Sequence, residues 1–132
     1  MTTQQLTPFL IFTGQAQEAM DFYVSLFWDG EVLQLEHFPS DGPGHGTTVK
    51  RAKIRVGGQT LMCFDSPVKH AFGFTPAISL FVECETEADV DRLSSALADD
   101  GSVLMPTGTY DFSRRFGWVN DRYGVSWQLN LA

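Results

Sequence analysis

The feature that most constrains this chain is an order of elements that occurs twice. Pro8 to Thr13 (PFLIFT) is a short apolar run of strand length, closed by Gly14. Ala16, Ala19, Met20, Tyr23 and Phe27 then recur at three- and four-residue steps, the spacing of one helix face. Gly30, just past Trp28-Asp29, is expected to supply a left-handed turn at the helix end. Glu31 to Pro39 alternates as a strand does, Val49 to Val56 alternates again, and Gly57-Gly58 makes a tight hairpin into QTLMCFD.

After SPVKHAFGFTP, a linker by composition, the order starts again. Ala77 to Glu83 reads as a strand, and Thr86 is an N-cap with Asp89 three residues on as an imperfect capping box. Val90, Leu93 and Leu97 form an apolar stripe that stops at Gly101. SVLMP, a turn-rich TGTYDFSRR, FGWVN and the turn D-R-Y-G then lead to a last strand, VSWQLNL. A glycine precedes each final strand, Gly58 and Gly124. Each half is βαβββ, and neither can bury both sheet faces alone. The expected class is α+β: two βαβββ modules forming a curved mixed sheet with a concave cleft and helices on the convex side. One domain is expected over 1–132, with module one about 1–66, a linker at 67–76 and module two about 77–132.

Bulk composition agrees and limits the partners. With 132 residues and 43% hydrophobic content the chain can build one ordinary core without a disulfide or metal. Its formal charge of −7 repels phosphate backbones and anionic lipid, so neither nucleic acid nor membrane is an expected partner. The basic cluster Lys50, Arg51, Lys53 and Arg55 alternates with apolar residues and reads as a solvated strand face. Cys63 and Cys84 lack zinc-knuckle or redox spacing and read as buried, reduced thiols. The beginning, MTTQQLTPFLIF, has no basic region and too short an apolar stretch for a secretory signal or a span, which makes the cytoplasm the expected compartment.

Five runs in order, PFLIFTGQAQEAMDFYVSLF, GGQTLMCFDS, FTPAISLFVE, EADVDRL and RFGWVNDRYGVSWQLNL, resemble the PhnB-like branch of the glyoxalase, bleomycin-resistance and extradiol-dioxygenase (vicinal oxygen chelate) superfamily. That branch also carries the label of a 3-demethylubiquinone methyltransferase-like domain. The residues give the label no support: a methyltransferase using S-adenosylmethionine needs a glycine-rich turn between strand and helix, whereas Gly42 to Gly46 (GPGHG) precedes a strand. No cofactor is expected.

In metal-dependent members of the superfamily, four His, Glu or Gln side chains from the first and last strands of the two modules enter the cleft. The resemblance aligns these with Pro8, Cys63, Ala77 and Gln128, of which Gln128 alone is a usual ligand, so no metal is expected. His37, His45 and His70 fall on a middle strand and two loops and read as ordinary histidines. With Gln128 turned inward, the alternation of the last strand also turns Ser126 and Asn130 inward and sends Val125, Trp127, Leu129 and Leu131 to the core. The same parity puts Leu10, Phe12, Cys63, Asp65, Ser79 and Phe81 on the inner face, with Trp118 joining them.

That set is apolar with a few polar groups, the usual chemistry of a small-molecule pocket. The expected ligand is an aromatic or otherwise flat organic molecule, bound without metal. Asp65 is the one carboxylate placed inside and the one candidate acid or base, and Arg114 and Arg115 are candidates to hold an anionic group. Catalytic residues are not assigned. Two alternatives remain open: a superfamily enzyme of lyase, isomerase or dioxygenase type with an unusual metal site, and methyltransferase-like activity by family label. The resemblance also implies a homodimer.

Overall fold

A computed structural model describes residues 4–42 and 46–132. The element order is β1(Phe9–Phe12), α1(Ala16–Leu26), β2(Glu31–His37), β3(Val49–Val56) and β4(Gln59–Asp65), then β5(Leu80–Glu83), α2(Glu87–Ala98), β6(Ser102–Tyr110), β7(Ser113–Asn120) and β8(Ser126–Leu131). This is βαβββ twice, an α+β fold. The chain clusters into two compact units, Met1–His70 and Ala71–Ala132. Each holds one four-stranded mixed sheet, ordered β1-β4-β3-β2 and β5-β8-β7-β6. In both, the first strand runs parallel to the last and the other pairings are antiparallel. Among the described residues no helix is long and apolar enough to cross a membrane.

In the first unit, Phe27 of the helix stripe read from spacing falls at the extended C-cap and is half-buried, while the other four residues, Ala16, Ala19, Met20 and Tyr23, are fully covered. They pack on Ala52, Ile54 and Val56 of β3 and Leu61 and Cys63 of β4, all 5% exposed or less. The solvated reading of the basic cluster also holds, with Lys50 3.7 Å from Glu36 and Arg55 2.9 Å from Glu31 across exposed strand surface. Gly57 and Gly58 have φ of 57° and 79°, as a two-residue type I′ hairpin requires. Their N–H groups donate to the Asp29 carboxylate at 2.9 and 2.7 Å. Desolvation opposes ionisation of Asp29, but hydrogen bonds from the Gly58, Gly57 and Asp29 N–H groups together with the Arg55 charge outweigh it and hold its pKa below the usual carboxylate value.

Gly30 does not make a left-handed turn. Its φ is not positive, and glycine is required because a Cβ would stand 2.0 Å from the carbonyl oxygen of Val24. After α2 the left-handed residue is Asp100 (φ 59°), and a Cβ on Gly101 would lie 2.1 Å from the Asn120 carbonyl. Both glycines mark close backbone approach.

In the second unit, Thr86 caps α2 as its sequence indicates, its Oγ1 accepting from Asp89 N at 3.1 Å. Val90, Leu93 and Leu97 of α2 are buried with Trp127 and Leu129 of β8. Gly117 of β7 lets the helix come close, since a Cβ there would be 2.8 Å from Ser94 Oγ. Two boundaries differ from the sequence reading. Ala77 sits in a turn and β5 starts at Leu80. TGTY and SRR are strand, leaving Asp111 and Phe112 as the hairpin tip; register shifts along β6 between Val103 and Tyr110 accommodate Pro106 and Gly108.

Candidate functional site

The helix-free face of the second sheet carries the candidate site. In register across it lie Phe81 and Gln128, Gln128 and Trp118, Trp118 and Met105, and Phe116 and Asn130. Partners directly opposite in a sheet share a face. With Phe112 from the hairpin tip they line a cavity of about 330 Å³. Phe81 and Phe112 are 57% and 63% exposed, whereas Phe116 forms buried floor. Phe112 meets Phe116 edge-on at 5.0 Å and stacks on Tyr110 at 5.4 Å, an aromatic wall fixed by its own packing.

A hydrogen-bonded chain stiffens the polar side. Trp118 Nε1 donates to Ser126 Oγ at 2.8 Å, the Ser126 and Ser79 hydroxyls are 2.7 Å apart, and Gln128 Nε2 donates to Ser79 Oγ at 3.2 Å. Farther along, Asn130 Nδ2 donates to both carboxylate oxygens of Glu83, at 3.1 and 2.9 Å, while its Oδ1 accepts from Ser113.

Of the residues expected inside, Phe81, Trp118 and Gln128 line this cavity and Ser79 braces it. Ser126 and Asn130 also share its face, and Trp127, Leu129 and Leu131 are buried opposite. The first-unit candidates are placed differently. Leu10, Phe12, Cys63 and Asp65 are 9%, 3%, 0% and 2% exposed and belong to the face that α1 covers. The parity assigned to β1 and β4 is therefore corrected: Phe9, Ile11, Met62 and Phe64 occupy the other face, with Phe9 stacked on Phe64 at 6.0 Å.

Asp65 is committed to structure. Its Oδ1 accepts from Gly14 N and Ala16 N at 2.7 and 3.0 Å, and its Oδ2 from Val49 N at 2.8 Å. The arginines are engaged too: Arg115 Nε donates to Asp91 at 2.6 Å on the α2 side, and Arg114 Nε donates to the Ala132 carbonyl. His37 pairs with Gln17 at 2.6 Å, His70 with Ser66 at 3.0 Å, and His45 lies outside the described residues. The sequence reading missed Met105, Phe112 and Phe116; the Phe116-x-Trp118 alternation was the available signal.

Burial pushes the Cys63 thiol up to about 12, with Asp65 adding to the effect, and burial pushes Cys84 up to about 11. Neither thiol supplies thiolate near neutrality. Iodoacetamide at pH 8 should leave Cys63 unmodified in the native protein and label it once the chain is unfolded, as read by intact-mass spectrometry.

A metal cage of the superfamily type does not fit these side chains. The helix-free faces of the first and last strands present Phe9, Ile11, Met62 and Phe64 in one unit, which offer no oxygen or nitrogen donor. In the other, Glu83 and the amides Gln128 and Asn130 are the donors that the face offers, too few by themselves for the four-ligand cage. Cys63 is on the covered face, and among the described residues no three His, Cys, Asp or Glu side chains form a metal-binding group.

Paired βαβββ modules with a pocket on one open sheet face are the architecture of the glyoxalase and bleomycin-resistance fold. A glyoxylase/bleomycin resistance protein/dioxygenase domain from Frankia sp. EAN1pec has the same fold, at TM-score 0.69 and 14% identity over 99% of this chain and 93% of that one. Residues 4–130 match the family described as 3-demethylubiquinone-9 3-methyltransferase, and the chain belongs to that family, in its PhnB-like branch. The PhnB protein from Bacillus cereus is 53% identical with TM-score 0.93, covering 98% of this chain and 100% of that one. Protein PA1353 from Pseudomonas aeruginosa is 32% identical with TM-score 0.85, covering 98% of each.

Proposed function

We propose that this PhnB-like protein binds a small, flat organic molecule on the helix-free face of its second sheet, without using a metal. The observation that carries the reading is the pocket itself. Its volume of about 330 Å³ is at the lower end of ligand sites, and its lining is mostly aromatic, with the Gln128 amide available for orientation. The hydroxyls of Ser79 and Ser126 and the Glu83 carboxylate beside it are hydrogen-bonded within the protein, which supports binding over catalysis.

Thermal unfolding with a panel of flat aromatic compounds and, separately, Mn²⁺, Zn²⁺ and Mg²⁺ tests the reading. Stabilisation by an organic member and none by the ions is expected, because a ligand selective for the native state raises its stability. Stoichiometric metal in protein purified without chelator, together with ion-dependent stabilisation, would overturn it in favour of a metal-dependent enzyme.

The working form is proposed to be a homodimer in the cytoplasm. Exposed apolar side chains outside the pocket, including Leu6, Phe9, Trp28 and Ile78, support self-association. Light scattering should report twice the 14.7 kDa chain mass at micromolar concentration, and a monomer would remove this claim.

A further inference from the structure

We infer that the pocket on the second sheet selects an organic cation, a substituted ammonium or amidinium group carried on a small apolar body. The inference rests on the ligand-binding reading above and narrows it to a chemical class.

Donor and acceptor accounting drives the argument. A carboxylate accepts hydrogen bonds and cannot donate them, so the contact with Glu83 fixes which end of the Asn130 amide faces it. Asn130 Oδ1 is then turned to Ser113, which donates to it. The indole of Trp118 can only donate, and it is spent on Ser126. Gln128 Nε2 gives one of its two N–H groups to Ser79, and Gln128 Oε1 is without a partner among the described residues. The indole N–H of Trp118 and the amide N–H groups of Asn130 are thus consumed within the protein and one N–H of Gln128 stays available, while acceptor capacity remains at Gln128 Oε1 and on the Glu83 carboxylate beside Asn130.

The rest of the lining points the same way. Phe81, Phe112, Phe116 and Trp118 present ring systems whose faces are electron-rich, and a cation within about 6 Å of a ring centre is attracted to it. No lysine or arginine lines the cavity. Arg114, on the same strand, is held at the Ala132 carbonyl, and Arg115 is held by Asp91 on the opposite side. An anion would meet π faces and a carboxylate, with no cationic side chain lining the cavity among the described residues to receive it. A neutral molecule would gain the apolar contact alone.

Three probes of similar size separate these cases: phenyltrimethylammonium, tert-butylbenzene and benzenesulfonate, titrated by NMR at 0.15 M salt. The cation should bind about tenfold more tightly than its neutral isostere, as one or two cation–π contacts imply, and the sulfonate should not saturate. Phe112→Leu keeps an apolar wall but removes a π face, and Glu83→Gln removes the charge. Each should weaken the cation about fivefold or more and leave the neutral probe unchanged. Equal affinity for cation and neutral probe, or tighter binding of the sulfonate, would overturn the inference while leaving the ligand-binding reading standing. A cation preference that survives both substitutions would also overturn it, by assigning the preference to the net charge of −7. If none of the three saturates, the underlying ligand-binding reading falls as well.

Discussion

Asp65→Ala should cost about 4 kcal/mol of stability and lower the thermal midpoint by roughly 15 °C, the largest effect expected of any single substitution considered for this chain. The carboxylate sits on β4 yet receives three backbone N–H groups from elsewhere: Gly14 and Ala16 where β1 turns into α1, and Val49 where β3 begins. Alanine would leave the buried Ala16 and Val49 donors without their acceptor, at about 1–3 kcal/mol for each group left unsatisfied, and return the N–H of exposed Gly14 to water. It would also remove a negative charge from the N-terminus of α1, where Gln15 makes no side-chain cap of its own. Native domains hold only about 5–15 kcal/mol in total, so much of the first unit's margin depends on this one side chain. Asp65→Asn keeps the volume and one acceptor and should lose about half as much. A midpoint within about 2 °C of the parent for Asp65→Ala would show that the three hydrogen bonds are not the tie described.

Trp118→Ala should weaken binding of any ligand of the second-sheet pocket by about thirtyfold or more, the loss typical of a central aromatic anchor. The indole stands between Met105 and Gln128 in register, so its removal opens the middle of the cavity instead of its rim. It also withdraws the donor that orients Ser126, and through Ser79 the hold on Gln128. Trp118 is half-buried and faces away from α2, so the core of Trp127, Leu129 and Leu97 is left intact and the fold should persist. Calorimetric titration of parent and variant with the same probe checks this. Unchanged affinity would place the ligand elsewhere on the protein.

How far the sequence could be read followed from how many faces of a strand are apolar. In β8 the alternation is one-sided, with Ser126, Gln128 and Asn130 against Trp127, Leu129 and Leu131, and a period of two then sets the direction of every side chain. In β1 and β4 both faces are apolar: Phe9 and Ile11 oppose Leu10 and Phe12, and Met62 and Phe64 oppose Leu61 and Cys63. Periodicity cannot choose between two apolar faces, and alignment of Cys63 with a ligand position chose the wrong one. The caps show the same limit. Thr86 caps α2 from three residues away and is visible in the local pattern, whereas Asp65 caps α1 from 49 residues away and is visible only in the fold. The helices, the repeat and the glycine hairpins were legible because each is a local signal. Phe112 was not, because bulges in β6 carry the hairpin through residues that read as a turn, whereas Phe116 shares the alternation of Trp118 in FGWVN.

The most direct test of the central claim is a methyl NMR spectrum of protein labelled at its methionines, recorded while the phenyltrimethylammonium series and other flat aromatic fragments are added. Met105 lines the second-sheet pocket, Met62 lies on the helix-free face of the first sheet, and Met20 is sealed beneath α1. Saturable movement of the Met105 signal with Met20 and Met62 unmoved is the expected result. Movement of Met62 with Met105 unchanged would contradict it, placing recognition on the first sheet.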